Sequence, residues 1–319
     1  MNDLPLVPRR RFLIGAAMGL GAMGLRAGDA VKPVRSLIRD PRFRGGLHLI
    51  DPKPGKRVPY GRLPGIVEGE PAWDLAQWSS RFPLAAGPGE ASEKGVRRWQ
   101  NGGKSVTLGD AGSEAADIAL AVNGRLEYEG RPRKNGEPWV HLLVEQSFDD
   151  PPSLASMRSV RLRIQACLLS CISDPAEIAD PSLHAAQFLL CLMIQNRNKA
   201  SKGFGQMVWF VVPLYDSRYR VPREHMAKDT GGTNMFIYHP AGDVFTKGSA
   251  HDGGWLAVDK DIRGLMGQAL ETAWQRGFAP GSRDLSDYRL TGLNLGWEVT
   301  GLFDVAMQVR GFEIEAAMI

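Results

Sequence analysis

Cysteine is scarce in this chain, with three among 319 residues, at positions 167, 171 and 191. So few exclude a disulfide-stapled miniature, and their spacing forms no paired C-x-x-C and places no histidine beside a thiol, so a zinc or iron–sulfur centre has no ligand set. An odd number in an exported chain leaves at least one unpaired, and Cys167, Cys171 and Cys191 read as small apolar residues buried in strands. No G-x-S-x-G occurs, which removes the serine-hydrolase elbow. Beyond residue 30 no stretch approaches the roughly 18 uncharged apolar residues of a membrane-spanning helix. An excess of one charge is missing too. Of 39 basic and 35 acidic residues, the first thirty positions hold Arg9, Arg10, Arg11 and Arg26 against Asp3 and Asp29, leaving 35 against 33 and a net +2. That balance excludes a broad cationic nucleic-acid surface. What is present, 43% hydrophobic, 23% charged and 8% aromatic residues, is ordinary for a folded soluble protein.

The N-terminus reads as an address. Arg9-Arg10-Arg11-Phe12-Leu13 precedes a glycine-rich apolar run from Ile14 to Leu25 that is too short to span a membrane. The Arg-Arg-x-Phe-Leu order is similar to a twin-arginine export signal, with cleavage after Ala30 or Ala27. The expected partner of residues 1–30 is therefore the twin-arginine export machinery, and the expected location is periplasmic or extracellular, with no membrane contact in the mature form. The same run contains Gly19-Leu20-Gly21-Ala22-Met23-Gly24. Arginines precede this G-x-G-x-x-G and a proline-rich segment follows it, whereas a dinucleotide fold needs a strand before and a helix after.

Residues 31–112 are dense in Pro, Gly and Arg, with short apolar pieces such as Leu47-His48-Leu49-Ile50, and read as a loop-rich wrap with a few edge strands. Residues 113–319 read as strand after strand with turn-rich connections and no β-α-β rhythm, which indicates an antiparallel jelly-roll β-sandwich. Asn123-Gly124 predicts a hairpin turn with Arg125–Glu129 as the returning strand. One amphipathic helix is expected where Ile262, Leu265, Met266, Ala269, Leu270, Ala273 and Trp274 follow helical spacing, capped by Asp259 or Asp261 and ended by Gly277.

Alternation separates two sets of side chains along the strands. One set is apolar, as in Val160, Leu162, Ile164 and Ala166 or Phe188, Leu190, Leu192 and Ile194. The other set collects His141, Arg161, Arg163, Gln187, Gln195, Trp209, Tyr215, Gln308 and Arg310, with Arg218 just beyond a strand end. Period two places the first set in the core and groups the second on a sheet surface. Planar side chains with several hydrogen-bonding groups, beside aromatic platforms, suit a sugar-binding surface for a polysaccharide or oligosaccharide. The plain alternative is a polar sheet face whose arginines and glutamates pair with one another.

Three stretches carry a resemblance. Gln187-Phe188-Leu189-Leu190 through Asn196, Trp209-Phe210-Val211-Val212-Pro213-Leu214-Tyr215-Asp216-Ser217-Arg218, and Gly292-Leu293-Asn294-Leu295-Gly296-Trp297-Glu298-Val299 resemble exported bacterial proteins with a concanavalin-A-like or related carbohydrate-binding jelly roll. The resemblance covers about residues 115–315; it implies a jelly roll and a glycan context and transfers no catalytic pair. The residues themselves offer Glu145, Asp216, Glu298 and Asp304 as catalytic carboxylates. A glycoside hydrolase, the first reading, needs two of them on one face, about 5–5.5 Å apart for retention or 6.5–9.5 Å for inversion. Glu145 in its apolar setting suits the acid, and Glu298 the nucleophile or base. A polysaccharide lyase working on an acidic glycan would instead draw on His141, Arg161, Arg163, Gln195 and Tyr215. A non-catalytic module would use Trp209, Tyr215, Trp255 and Trp297 as platforms. No cofactor is required by any of the three, a structural calcium ion remains compatible, and His239, His251 and Asp252 read as solvated loop residues.

Overall fold

Strands of alternating apolar and polar residues dominate the chain because only pairing satisfies their backbone while one face is buried. The computed structural model describes residues 33–51, 57–92, 95–109, 116–173 and 180–319. The strands are β1 Val34–Ser36, β2 Gly46–Ile50, β3 Pro59–Pro64, β4 Trp73–Ala76, β5 Glu90–Ala91, β6 Arg97–Gln100, β7 Lys104–Leu108, β8 Ile118–Asn123, β9 Val140–Ser147 and β10 Met157–Ile172. They continue as β11 Ala186–Asn196, β12 Met207–Asp216, β13 His225–Lys228, β14 Phe236–His239, β15 Leu256–Asp261, β16 Tyr288–Val299 and β17 Asp304–Met318. Two α-helices, α1 Gly124–Glu127 and α2 Arg263–Gln275, accompany them. The export address expected at 1–30 lies outside the described residues.

The strands form two sheets, a jelly-roll sandwich. A nine-stranded sheet runs β13-β14-β12-β11-β16-β9-β4-β2-β3, and an eight-stranded sheet runs β15-β10-β17-β8-β7-β6-β5, with β1 also pairing β17. Pairing is antiparallel except for β12 with β14 and β2 with β4. The expected wrap at 31–112 therefore contributes strands to both sheets, with β4 docked on β9 and β7 on β8.

Between the sheets lie the apolar sets that alternation predicts. Phe188 meets Trp297 edge-on at 5.1 Å. Trp297 is fully buried, and its indole donates to Leu120 O at 2.9 Å, tying β16 to β8 across the core. In α2, Met266, Ala269, Leu270 and Ala273 are the buried stripe. Asp261 accepts from Arg263 N at 3.0 Å, and Gly277 sits past the end at φ +80°. Asp259 does not cap the helix, because it pairs with Arg161.

The Asn123-Gly124 hairpin does not form. Asn123 instead caps a helical turn by accepting from Leu126 N at 2.8 Å. The reason lies one turn on. Glu127 is drawn inside, where it pairs with Lys104, both side chains fully buried. Ser80 Oγ and Arg81 N also donate to Glu127, at 2.7 and 2.8 Å. A returning strand would leave this carboxylate and the Lys104 ammonium without each other.

Candidate active site on the nine-stranded sheet

Register assembles the outer face of the nine-stranded sheet in rows that cross the strands. One row reads His48, Asp74, Glu145, Asn294, Cys191 and Val211, each opposite the next. Two residues further along the strands lies an apolar row of Ala76, Leu143, Gly296 and Leu189. Two further still, a second polar row reads His141, Glu298, Gln187 and Asp216. Gly296 is obligatory at the centre, since its φ is +152° and a Cβ would meet Leu142 O at 2.2 Å.

Glu145 and Glu298 stand on adjacent strands, on the same face, with the apolar row between them. A four-residue offset across one strand spacing puts their Cα atoms about 14 Å apart, with Leu143 and Gly296 between them in register. Burial, and then the charge of Asp74, push Glu145 up to about 7. Asn294 Nδ2 opposes this by donating to Glu145 Oε1 at 3.4 Å. Burial, and then Asp229, likewise push Glu298 up to about 7. Its side chain keeps 21% of its exposure, so it is desolvated yet reachable.

The neighbours differ in what they offer. His141 is brought down to about 4 by burial and is neutral at neutral pH. Its Nδ1 faces the carbonyl of Trp139 at 2.9 Å, and a carbonyl only accepts, so Nδ1 carries the hydrogen. Nε2 is then an acceptor, 3.9 Å from Glu298, and the contact is not an ion pair. Asp74 is held by both nitrogens of a guanidinium fork, with Arg57 NH2 on Oδ1 at 2.8 Å. Trp78 flanks the face, edge-on to His141 at 5.4 Å and packed on Ile50, Ala76 and Leu143. Trp209 donates to Thr233 at 3.0 Å, and Thr233 is itself bound to Asp229 at 2.8 Å, which ties the loop 229–235 to this face.

Only part of the expected set meets here. His141, Glu145, Gln187, Gln195, Trp209 and Glu298 share this outer face, Gln195 at its far end donating to Gly205 O at 3.1 Å. Asp216 belongs to the face too, but as the buried partner of Arg218 at 2.6 Å and the acceptor of Gln187 at 2.8 Å. Tyr215 turns into the core. A bulge between Phe188 and Leu189 on the pairing with β12 sets both Leu214 and Tyr215 inward, and Tyr215 keeps 2% exposure. Trp297 is core as well.

Arg161, Arg163, Gln308, Arg310 and Asp304 belong to the eight-stranded sheet and do not join the others. Arg161 pairs with Asp259, and Arg163 with Glu313 at 3.0 Å and Glu315 at 2.8 Å. Arg310 donates to Gln165 at 3.0 Å and covers Trp255 at 4.0 Å. Asp304 accepts from Arg125 N at 3.3 Å. Among the described residues no three His, Cys, Asp or Glu side chains are grouped to hold a metal ion. His251 stacks on Tyr215 at 4.7 Å, and its Nε2 donates to Asp216 O at 2.9 Å. Sequence reasoning missed Asp74, Trp78, Asp229 and Asn294; of these only Asn294 lay in a stretch that alternation had marked.

No protein-family model and no curated protein matches the chain. Solved structures similar to it include the endoglucanase cel12A from Rhodothermus marinus, 11% identical over 75% of this chain and 100% of that one, with a TM-score of 0.37. The family 12 xyloglucanase from Bacillus licheniformis is 10% identical over 73% and 98%, with a TM-score of 0.38. The family 11 xylanase from Neocallimastix patriciarum is 8% identical over 69% and 90%, with a TM-score of 0.37. A likeness at this level assigns no residue of this chain, whose site rests on its own geometry.

Proposed function

We propose that this chain is an exported glycoside hydrolase that cleaves a polysaccharide on the outer face of the nine-stranded sheet. The reading rests on one observation: Glu145 and Glu298, on adjacent strands and one face, are both lifted to about 7, and among the described residues no cation pairs with either. Carboxylates on an ordinary polar face sit in water near 4.5 or pair with arginine.

Their surroundings divide the work. Glu298 has an acceptor, His141 Nε2, and a second carboxylate, Asp229, as neighbours, which favour its protonated form; it is the acid that gives its proton to the leaving oxygen. Glu145 receives an N–H from Asn294, which favours the ionised form; it is the base that takes a proton from the attacking water. This reverses the roles that strand neighbours alone suggest. The stereochemistry proposed is inversion, in which the two carboxyl groups stand about 6.5–9.5 Å apart and leave room for that water between base and sugar. Trp78, which packs over Leu143, and Trp209 supply the platforms for a ring's C–H face.

The test is a screen of the purified mature chain for reducing-end release on soluble β-glucan, xylan, xyloglucan and polygalacturonate, with absorbance detection of unsaturated uronates in parallel. Release of reducing ends with inverted anomeric configuration, lost in Glu145→Gln and Glu298→Gln, is the expected result. Unsaturated products would make the protein a lyase, and retention without cleavage a binding module. Export is tested separately, by fusing residues 1–30 to a reporter and replacing Arg9, Arg10 and Arg11 with lysine.

A further inference from the structure

The outward side chains of β11 stay partly open to solvent along most of the strand: Gln187, Cys191, Met193 and Gln195 are half-buried, and only Leu189 among them is buried. Trp209, opposite Met193, is half-buried as well. Glu298 stands opposite Gln187, and Glu145 joins the row of Cys191 through Asn294. Four residues beyond Cys191, about 13 Å along the strand, this track runs between two arginines. Arg289 lies directly opposite Gln195 on β16. Arg197 follows two residues after Gln195, and its N–H donates to Asp287 O at 2.8 Å, which continues the pairing and keeps it on the face of Gln195. Both guanidinium groups are held by neutral partners. Arg197 NH1 donates to Gln195 Oε1 at 3.3 Å, and its guanidinium carbon lies 5.9 Å from the centre of the exposed Phe204 ring. Arg289 NH1 donates to Ser286 O at 3.0 Å. Among the described residues neither arginine forms an ion pair. The acids of the adjoining loops are engaged elsewhere: Asp287 accepts from Asn198 Nδ2 at 2.7 Å and Ser282 Oγ at 2.6 Å, Asp284 from Ser286 N at 2.8 Å, and Asp149 pairs with Arg39 at 3.2 Å. The loop after Arg197 is braced by buried Asn196, which accepts from Asn198 N at 3.0 Å and donates to Ser201 Oγ at 3.0 Å.

We infer that Arg197 and Arg289, flanking Gln195, form a subsite for an anionic group on the glycan, a uronate carboxylate or a sulfate ester, so that the substrate is an acidic polysaccharide. This rests on the glycan reading above and adds to it the substrate class and the place where its charge is read. A guanidinium presents N–H donors in a planar fork that matches the paired oxygens of such a group. By register the two arginines are diagonal neighbours, their Cα atoms about 8 Å apart, a span that two long side chains close over one anion. Gln195 holds one guanidinium through its Oε1 and ties its Nε2 to Gly205 O at 3.1 Å, so it orients the pair without adding charge. The braced loop spares much of the cost of ordering Arg197 on binding. A neutral glycan gains little here over water, whereas an acidic one gains charge-assisted bonds from both arginines. The distance from the row of Glu145 sets the charged sugar apart from the bond that is cleaved, so the subsite selects substrate and takes no part in proton transfer.

The experiment uses the full mature chain carrying Glu298→Gln, so that binding is read without turnover. Affinity electrophoresis compares polygalacturonate, the same polymer with its carboxyl groups reduced to alcohols, dextran sulfate and neutral xylan. Stronger retardation by polygalacturonate than by its reduced form assigns a uronate, and retardation by dextran sulfate alone a sulfate ester. Adding Arg197→Gln or Arg289→Gln is expected to weaken binding of the retarding polymer about 10- to 100-fold each, the loss of charge-assisted bonds. Arg289→Lys, which keeps the charge and loses the fork, is expected to weaken it by less. Lys199→Gln and Lys202→Gln remove the same charge from exposed positions on the same loop and are expected to stay within about twofold. If a glutamine variant fails to fold, Arg197→Lys and Arg289→Lys are read in its place. An equal loss from the lysine variants, unchanged binding by the arginine variants, or retardation no stronger by the acidic polymers than by the neutral ones overturns the subsite and leaves the glycan reading standing. No retardation by any of the four polymers, together with no cleavage of any glycan by the unsubstituted chain, overturns both.

Discussion

The outer faces of the two sheets are built from the same residue types and hold them in opposite ways. On the eight-stranded sheet, Arg161, Arg163 and Arg310 each have an acidic, amide or aromatic partner in contact, and the ion pairs stand in water. On the nine-stranded sheet, Glu145 and Glu298 are half-buried, with an amide and a neutral imidazole where a cation would stand. The first arrangement is close to neutral in energy. The second costs stability whenever the carboxylates ionise, and a fold keeps such groups where reactivity offsets that cost. Composition and alternation are alike on the two faces; desolvation without a counter-charge is what separates a site from a solvated surface.

Four outcomes would break or sharpen this contrast. The largest effect falls on activity. Glu145→Gln and Glu298→Gln are expected to lower turnover about 10²- to 10⁴-fold, while Arg161→Gln and Arg163→Gln stay within about twofold. Reducing-end assays on the responsive glycan measure it, and an equal loss from the arginine variants would remove the distinction between the faces. Next in size is the buried pair Lys104–Glu127, which joins the two faces' hinterland by pinning residues 80 and 81 just beyond Trp78. Lys104→Met leaves Glu127 uncompensated and is expected to cost about 3–5 kcal/mol in urea unfolding.

Linkage gives a third, smaller effect whose size differs between pH values. A carboxyl whose pKa rises from 4.5 unfolded to about 7 folded binds more protons in the folded state between those values. Its destabilising contribution is therefore absent below about 4.5, grows as pH rises, and is complete above 7. Glu298→Gln is expected to raise stability by roughly 1–3 kcal/mol at pH 8 and to change it little at pH 4.5, read from Tm at both. Removing Arg163 should leave Tm nearly unchanged at either pH. Finally, the form with Glu298 protonated and Glu145 ionised is most populated near pH 7, where each acid is half-titrated, and declines on both sides. A bell-shaped kcat/KM centred near 7 is the expectation, and a plateau extending to pH 5 would contradict the half-buried acids.

The strands from β8 onward, β13 apart, were legible because period two survives in residues such as Val160, Leu162 and Ile164. What period two cannot tell is which of two back-to-back sheets a polar set belongs to. Arg163 and Glu145 satisfy the same alternation, and only pairing over long sequence distances, β10 with β17 and β9 with β16, sends them to opposite sides. Asn123-Gly124 misled because an asparagine that favours a turn is also a good helix cap, and the deciding residue, Glu127, answers to Lys104 in another strand. Asp74 and Trp78 were obscured by their short strand within a segment rich in proline and glycine. Of the four carboxylates suggested by sequence, Asp216 and Asp304 keep their plainer roles, at an arginine and at a backbone N–H respectively.

The bulge in β12 has a consequence for how this surface varies. Before it, the odd-numbered residues Trp209, Val211 and Pro213 look outward; after it, the even-numbered Asp216 does. The extra residue acts as a change of parity within one strand. Removing Leu214 alone would restore a single parity and leave Tyr215 opposite Phe188 in the core and Asp216 opposite Gln187 on the surface. The strand can thus lose one residue at this point while the side chains on both flanks keep their facing, a tolerance of length that the regular pairing elsewhere on β12 does not offer.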